Sequence, residues 1–232
     1  MLGMKATWIK DLKGLIYTKI IGPLRYKAGD GYNAQKFWSE RFKRYGVSLK
    51  AAGNVNLTEQ ENIEMYEKSV KTLLDLFKNH AIMLKDKRVL EIGCGTGYYT
   101  KLMSEMGVAD YTGLDITDTL FSILKQKFPS YSFVCCDITK KGLDERFDII
   151  LMLNVIEHIV SEKKLKNTLM NVDNSLIKGG LFIVGALLGE TKKHTFYVKY
   201  WTLNDVMSRL PRYEILAKAP FQNGEVVILK KM

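Results

Sequence analysis

Residues 89–100 read VLEIGCGTGYYT. An apolar run with one glutamate, Glu91, leads into glycines at 93, 95 and 97, and YYTKLMSEM (98–106) then resumes with helical spacing. A strand, a glycine turn and a helix in that order form the opening unit of a parallel α/β sheet. Such a turn lets a ligand approach the backbone closely.

Downstream the alternation continues. YTGLD (111–115) reads as a second strand, DTLFSILKQKF (118–128) as a helix and YSFVCCD (131–137) as a third strand. FDIILML (147–153) is nearly all apolar, as a central parallel strand covered on both faces requires. In SEKKLKNTLMNVDNSL (161–176) Leu165, Leu169, Val172 and Leu176 fall on one helical stripe, and a Gly-Gly turn then leads into a fifth strand. A helix over 202–210 with Thr202 as N-cap precedes two strands, 213–219 and 225–231, which PFQNG can join as a hairpin. Upstream, Thr58 and Glu61 form a capping box for a helix over 57–79. The expected fold is an open, doubly wound, mostly parallel α/β sheet of seven strands, with helices on both faces and a C-terminal antiparallel hairpin. Residues 58–232 form that domain, and 1–57 form a basic arm and helical cap.

Composition narrows the class. The chain has 232 residues and three cysteines, Cys94, Cys135 and Cys136, with neither zinc nor redox spacing, which suggests reduced thiols and a cytoplasmic protein. No apolar run is long enough to cross a bilayer. The formal charge of +10 is uneven: residues 1–50 hold 11 Lys/Arg against 3 Asp/Glu, and the remainder 24 against 22. A nearly neutral body disfavours a nucleic-acid substrate, and the basic arm is the part suited to touch something anionic.

The glycine spacing excludes two ligands. A dinucleotide fingerprint needs a third glycine where Tyr98 stands, and a triphosphate loop needs a Gly-Lys-Ser/Thr ending that is absent. Glu91 before the loop would repel a pyrophosphate but suits a ligand with positive charge. Asp115, 22 residues past Gly93, can accept both hydroxyls of a ribose, and Asp137 can accept from an adenine amino group. Three acidic strand ends around a glycine loop describe a pocket for a cationic adenosine such as S-adenosylmethionine.

With these motifs in order, the chain over roughly 58–230 resembles the class I, seven-stranded S-adenosylmethionine-dependent methyltransferases, most closely their small-molecule branch. The resemblance rests on VLEIGCGTG, YTGLD, FVCCDI, FDIILMLNVIEHI and LIKGGLFIV. It implies that the backbone of Gly93, Cys94, Gly95 and Gly97 passes the methionine part of the cofactor. By the same resemblance Asp115 binds the ribose and Ile116 covers one adenine face, while Cys136, Asp137 and Ile138 contact the adenine. Leu153 and Asn154 lie beside the sulfonium. In NAQKFWSERFKRYG (33–46), Trp38 and Arg41 match a segment that closes over the cofactor with its arginine near the carboxylate; a surface helix is the other reading. Transfer leaves S-adenosylhomocysteine.

The expected activity is methyl transfer to a small-molecule acceptor at oxygen, with a lipid-linked acceptor as a narrower case. RNA or protein methylation, or cofactor binding without catalysis, are the competing readings, though LNVIE (153–157) stands where amino-methylating nucleic-acid enzymes carry N/D-P-P-Y. His158 and His194 are the candidate bases, His158 serving equally as a structural hydrogen-bonding residue. Tyr197, Tyr200 and Trp201 make an aromatic wall or pack beneath the last helix. No metal site is indicated. In KATWIKDLKGLIYTKIIGPLRYK (5–27), Trp8, Leu12, Leu15, Ile16 and Ile20 share a stripe, with Lys10, Lys13 and Lys19 elsewhere. This segment suits a peripheral membrane contact, a dimer arm or a helix on the core, and the protein is a monomer or a homodimer.

Overall fold

A computed structural model describes residues 14–232. Trp8, Lys10, Leu12 and Lys13 of the basic stripe lie outside the described residues. The chain is helical from 14 to 26, through a π-helical turn at Tyr17–Ile21 and a short helix α1 (Gly22–Tyr26). A two-residue-turn hairpin follows, pairing Lys27–Ala28 with Gly31–Tyr32. Helix α2 (Ala34–Tyr45) begins at Asn33, whose side chain accepts from the Lys36 N–H. After α3 (Leu49–Ala52), α4 (Glu59–Asn79) opens with the expected Thr58–Glu61 capping box.

The sheet contains β1 (Arg88–Ile92), β2 (Asp110–Asp115), β3 (Ser132–Cys135), β4 (Phe147–Leu153), β5 (Leu176–Leu187), β6 (Tyr213–Phe221) and β7 (Gly224–Lys231). Its strand order is β6-β7-β5-β4-β1-β2-β3. The five strands β1 to β5 pair in parallel, and β7 enters antiparallel between β5 and β6. The expected seven-stranded sheet and terminal hairpin are both present. Two boundaries differ. Strand β3 ends at Cys135, so Asp137 sits in the turn beyond it, where its side chain binds the Thr139 N–H at 3.0 Å. The Gly-Gly turn before the fifth strand is a bulge: Leu176 already pairs with Phe147, and Leu181 with Ile149.

Period-2 alternation sorts the strands onto two cores. Val89, Ile149, Leu151 and Leu153 face α4, α5 (Tyr98–Glu105) and α6 (Phe121–Lys127). Leu90, Ile92, Ile150 and Phe182 face α7 (Glu162–Ser175) and α8 (Leu203–Met207). The predicted stripe of Leu165, Leu169, Val172 and Leu176 is buried in the second core. Trp201 is fully buried there too, its Nε1 donating to the Ile159 carbonyl at 2.9 Å, so it packs as core. Among the described residues, no helix is long and apolar enough to cross a membrane.

Candidate active site

Strand order reverses between β1 and β4, and the crevice beyond their carboxyl ends is where open α/β sheets bind ligands. A cavity of about 500 Å³ occupies that position. Its floor comes from the carboxyl ends of β1, β2, β3 and β4 and the turns after them: Gly93 and Gly95, Asp115 and Ile116, Cys136 to Ile138, and Asn154. Its roof is the hairpin at 27–32 and the first half of α2, including Trp38.

Gly93 takes φ +77°, and a methyl group there would collide with Val155 Cγ2. Only glycine permits both the turn and the close approach. The Gly93 N–H donates to the Leu114 carbonyl at 2.6 Å, tying the loop to the end of β2. Asp115, at that strand end, accepts from the Gly95 N–H at 3.0 Å and the Thr117 N–H at 3.2 Å. Burial lifts its carboxyl to about 6 against the pull of those donors.

Asn154 also has a left-handed backbone, φ +58°. Its N–H donates to the Gly185 carbonyl at 2.8 Å, and its side-chain amide pairs with Gln222 of the β6–β7 turn. His158 lies on a 3₁₀ turn (Ile156–His158), half-buried against the cavity. Its Nδ1 is 3.0 Å from the Tyr197 carbonyl; a carbonyl only accepts, so Nδ1 carries the hydrogen and Nε2 keeps its lone pair. The ring meets Trp38 edge-on at 4.8 Å, and burial holds the imidazole down to about 4.

The cavity therefore gathers Trp38, Gly93, Gly95, Asp115, Ile116, Cys136, Asp137, Ile138, Asn154 and His158 of the expected set. Six residues are not brought to it. Glu91 follows the same alternation as Val89 onto the α5 face, where Thr100 and Tyr111 donate to its carboxylate. Burial there raises it to about 8 despite both donors. Cys94 turns its sulfur down over Gly113, and Leu153 packs into the first core. Gly97 holds φ +78° at the start of α5, behind the loop. Arg41 stacks at 5.2 Å on Trp38, and its Nη2 donates to the carbonyls of Lys50 and Gly53, closing the end of α3. His194 is exposed on the turn between Lys192–Lys193 and Lys199–Tyr200 and does not line the cavity.

Among the described residues, four buried polar atoms lack partners: Arg41 Nε, Thr96 Oγ1, Tyr99 OH and Glu157 Oε2. Thr96 lies inside the glycine loop itself, and Glu157 precedes His158. Burial pushes the Glu157 carboxyl up to about 8. Among the described residues, no group of three or more His, Cys, Asp or Glu side chains is placed to hold a metal. The hairpin roof was missed in the sequence, although Gly29-Asp30 between Ala28 and Gly31 is a turn pair that signals it.

Residues 90–184 match the methyltransferase domain family. Over 155 residues the chain is 27% identical to a malonyl-[acyl-carrier protein] O-methyltransferase of Bacillus cereus, covering 66% of this chain and 53% of that protein. Over 128 residues it is 31% identical to a ubiquinone biosynthesis O-methyltransferase of Coxiella burnetii, covering 53% and 50%. The chain thus spans about half the length of these relatives. Among solved structures it resembles a Burkholderia thailandensis 1,6-didemethyltoxoflavin-N1-methyltransferase, with a TM-score of 0.62 at 16% identity over 89% of this chain and 93% of that one. An S-adenosylmethionine-dependent methyltransferase from Clostridium acetobutylicum gives 0.56 at 18% identity, over 72% and 92%. The fold is that of the class I S-adenosylmethionine-dependent methyltransferases.

Proposed function

We propose, for a chain that carries a methyltransferase domain over residues 90–184, that it transfers a methyl group from S-adenosylmethionine to an oxygen of a small-molecule acceptor. The observation that carries this reading is the cavity floor. A buried acidic strand end, Asp115, and a glycine that tolerates no side chain, Gly93, share one crevice at the switch point.

In this reading the Gly93–Gly95 backbone holds the methionine part and Asp115 holds the ribose hydroxyls. Ile116 and Ile138 enclose the adenine, and Asp137 and Cys136 lie at its edge. Trp38 closes the roof. When bound, the sulfonium supplies a methyl group already activated for in-line displacement, so the protein's work is orientation and exclusion of water. Asn154, fixed by Gln222 and by the carbonyl of Gly185, sets one wall of the transfer path. His158 accepts a hydrogen bond at Nε2 from the acceptor hydroxyl and aims the oxygen lone pair. With its pKa near 4 the ring orients the acceptor rather than keeping its proton, which passes on to solvent as the methyl ether forms. His194 has no part in this arrangement.

The relatives named for malonyl-[acyl-carrier protein] and for ubiquinone biosynthesis are O-methyltransferases, which favours oxygen as the acceptor atom. A lipid-linked acceptor, with peripheral membrane contact through the N-terminal segment, is the narrower form of the same reading. The test is incubation with S-adenosylmethionine labelled in its methyl group and a cell extract, followed by separation of organic-soluble, aqueous and acid-precipitable products. Label is expected in a small-molecule fraction; label confined to the precipitate would mean an RNA or protein acceptor.

A further inference from the structure

The helical segment before the hairpin is fixed on one side and bare on the other. On its inner side Gly22 lies under the Phe196 ring, Tyr26 is buried, and Arg25 and the Tyr26 hydroxyl bind Glu40 at 2.8 and 2.6 Å. On its outer side stand Leu15, Ile16, Ile20 and Leu24; Ile20 is 55% exposed and Leu24 78%. Among the described residues, this anchored helix turns large aliphatic side chains to solvent, a face suited to a partner.

The charge around this face indicates the partner. Residues 14–27 contain no Asp or Glu; Lys19 and Lys27 flank the aliphatic side chains, and Arg25 is paired with Glu40. Aliphatic residues between lysines match the boundary of an anionic bilayer, where aliphatic groups enter the acyl region and lysines remain at the headgroups. A second copy of this chain would present the same cations and repel them.

The position of the face connects it to the cavity. The segment runs without a break into the hairpin at 27–32, and Ala28, Gly29, Asp30 and Tyr32 of that hairpin line the cavity. We propose that the Leu15–Leu24 face docks on an anionic lipid surface, setting the cavity mouth against the bilayer so that the acceptor is taken from the lipid phase. This rests on the methyltransferase reading above and specifies its acceptor as a lipid-soluble molecule.

The experiment is sedimentation of the full chain with phosphatidylcholine vesicles, with and without phosphatidylglycerol, for the wild type and for an Ile20→Glu/Leu24→Glu double variant. S-adenosylhomocysteine affinity is measured on the same preparations. Expected results are binding that requires phosphatidylglycerol and weakens in high salt, at least about tenfold weaker binding of the double variant, and equal S-adenosylhomocysteine affinity for both proteins. Absence of vesicle binding by the wild type, or equal binding of the double variant, overturns the docking proposal. A wild type that is dimeric in light scattering and becomes monomeric in the double variant also overturns it, assigning the face to a second copy. Failure to bind S-adenosylhomocysteine in the wild type would instead remove the methyltransferase reading, so the two failures are distinguishable.

Discussion

At the scale of single residues, Asp115 and Glu91 separate what a motif implies from what a backbone permits. Both are acidic residues at strand ends, both are buried, and both have raised carboxyl pKa values. Asp115 ends its strand and turns into the cavity. Glu91 sits one residue before its strand end, and its parity sends it to α5 and Tyr111. A ribose hydroxyl bonded to a carboxylate is worth roughly 1.5–3 kcal/mol. Asp115→Ala should therefore weaken S-adenosylhomocysteine binding about tenfold to a hundredfold in a calorimetric titration, with the thermal transition retained. Unchanged affinity would remove Asp115 from the site. His158 and His194 divide in the same way: the sequence offers two imidazoles after strands, and only the backbone path shows that one lines the cavity and the other does not.

At the scale of elements, the parts that hold the site are those with strong local signals. The Thr58–Glu61 box opens α4, Asn33 opens α2 and Ser161 opens α7, each placed by a side chain that accepts from the first turn. Helix α7 matters most for geometry, because it covers β4 and β5, whose ends carry Asn154 and the Gly185 carbonyl that binds it. Leu169 is fully buried in that contact. Leu169→Ala should cost roughly 2–5 kcal/mol in urea denaturation. A loss below about 1 kcal/mol would mean that α7 repacks easily and does not brace the site. The hairpin roof is the opposite case. Its two-residue strands carry no apolar alternation, so only a turn pair marks them, and their placement depends on α2 and the Phe196 aromatic cluster behind them.

At the scale of the whole molecule, the buried acids set the response to pH. Glu157 is protonated in both the folded and unfolded chain below about 4.5, and ionised in both above about 8. Between these limits the folded state holds the proton more tightly, so its contribution to stability falls as pH rises. Glu91 acts in the same direction, and Asp115 does so up to about 6, whereas His158, held down to about 4, adds stability as pH rises toward 6.5. Those effects are common to wild type and variant, so the comparison isolates one group. Glu157→Gln should gain on the wild type, by on the order of a few kcal/mol, as urea midpoints are followed from pH 5 to pH 8.5. Parallel curves would show that the buried carboxyl has another way to hold its charge. The sequence by itself determined the α/β class, the succession of strands and helices along the chain and the identity of the loop, because apolar period, capping residues and glycine spacing act over a few neighbouring positions. Only the tertiary structure decided that Glu91, Arg41 and His194 do not line the cavity, that the 27–32 hairpin roofs it, and that Leu15 to Leu24 stand bare. Which way a side chain points depends on strand parity and on the packing of elements far apart in sequence, and neither is written in any local stretch.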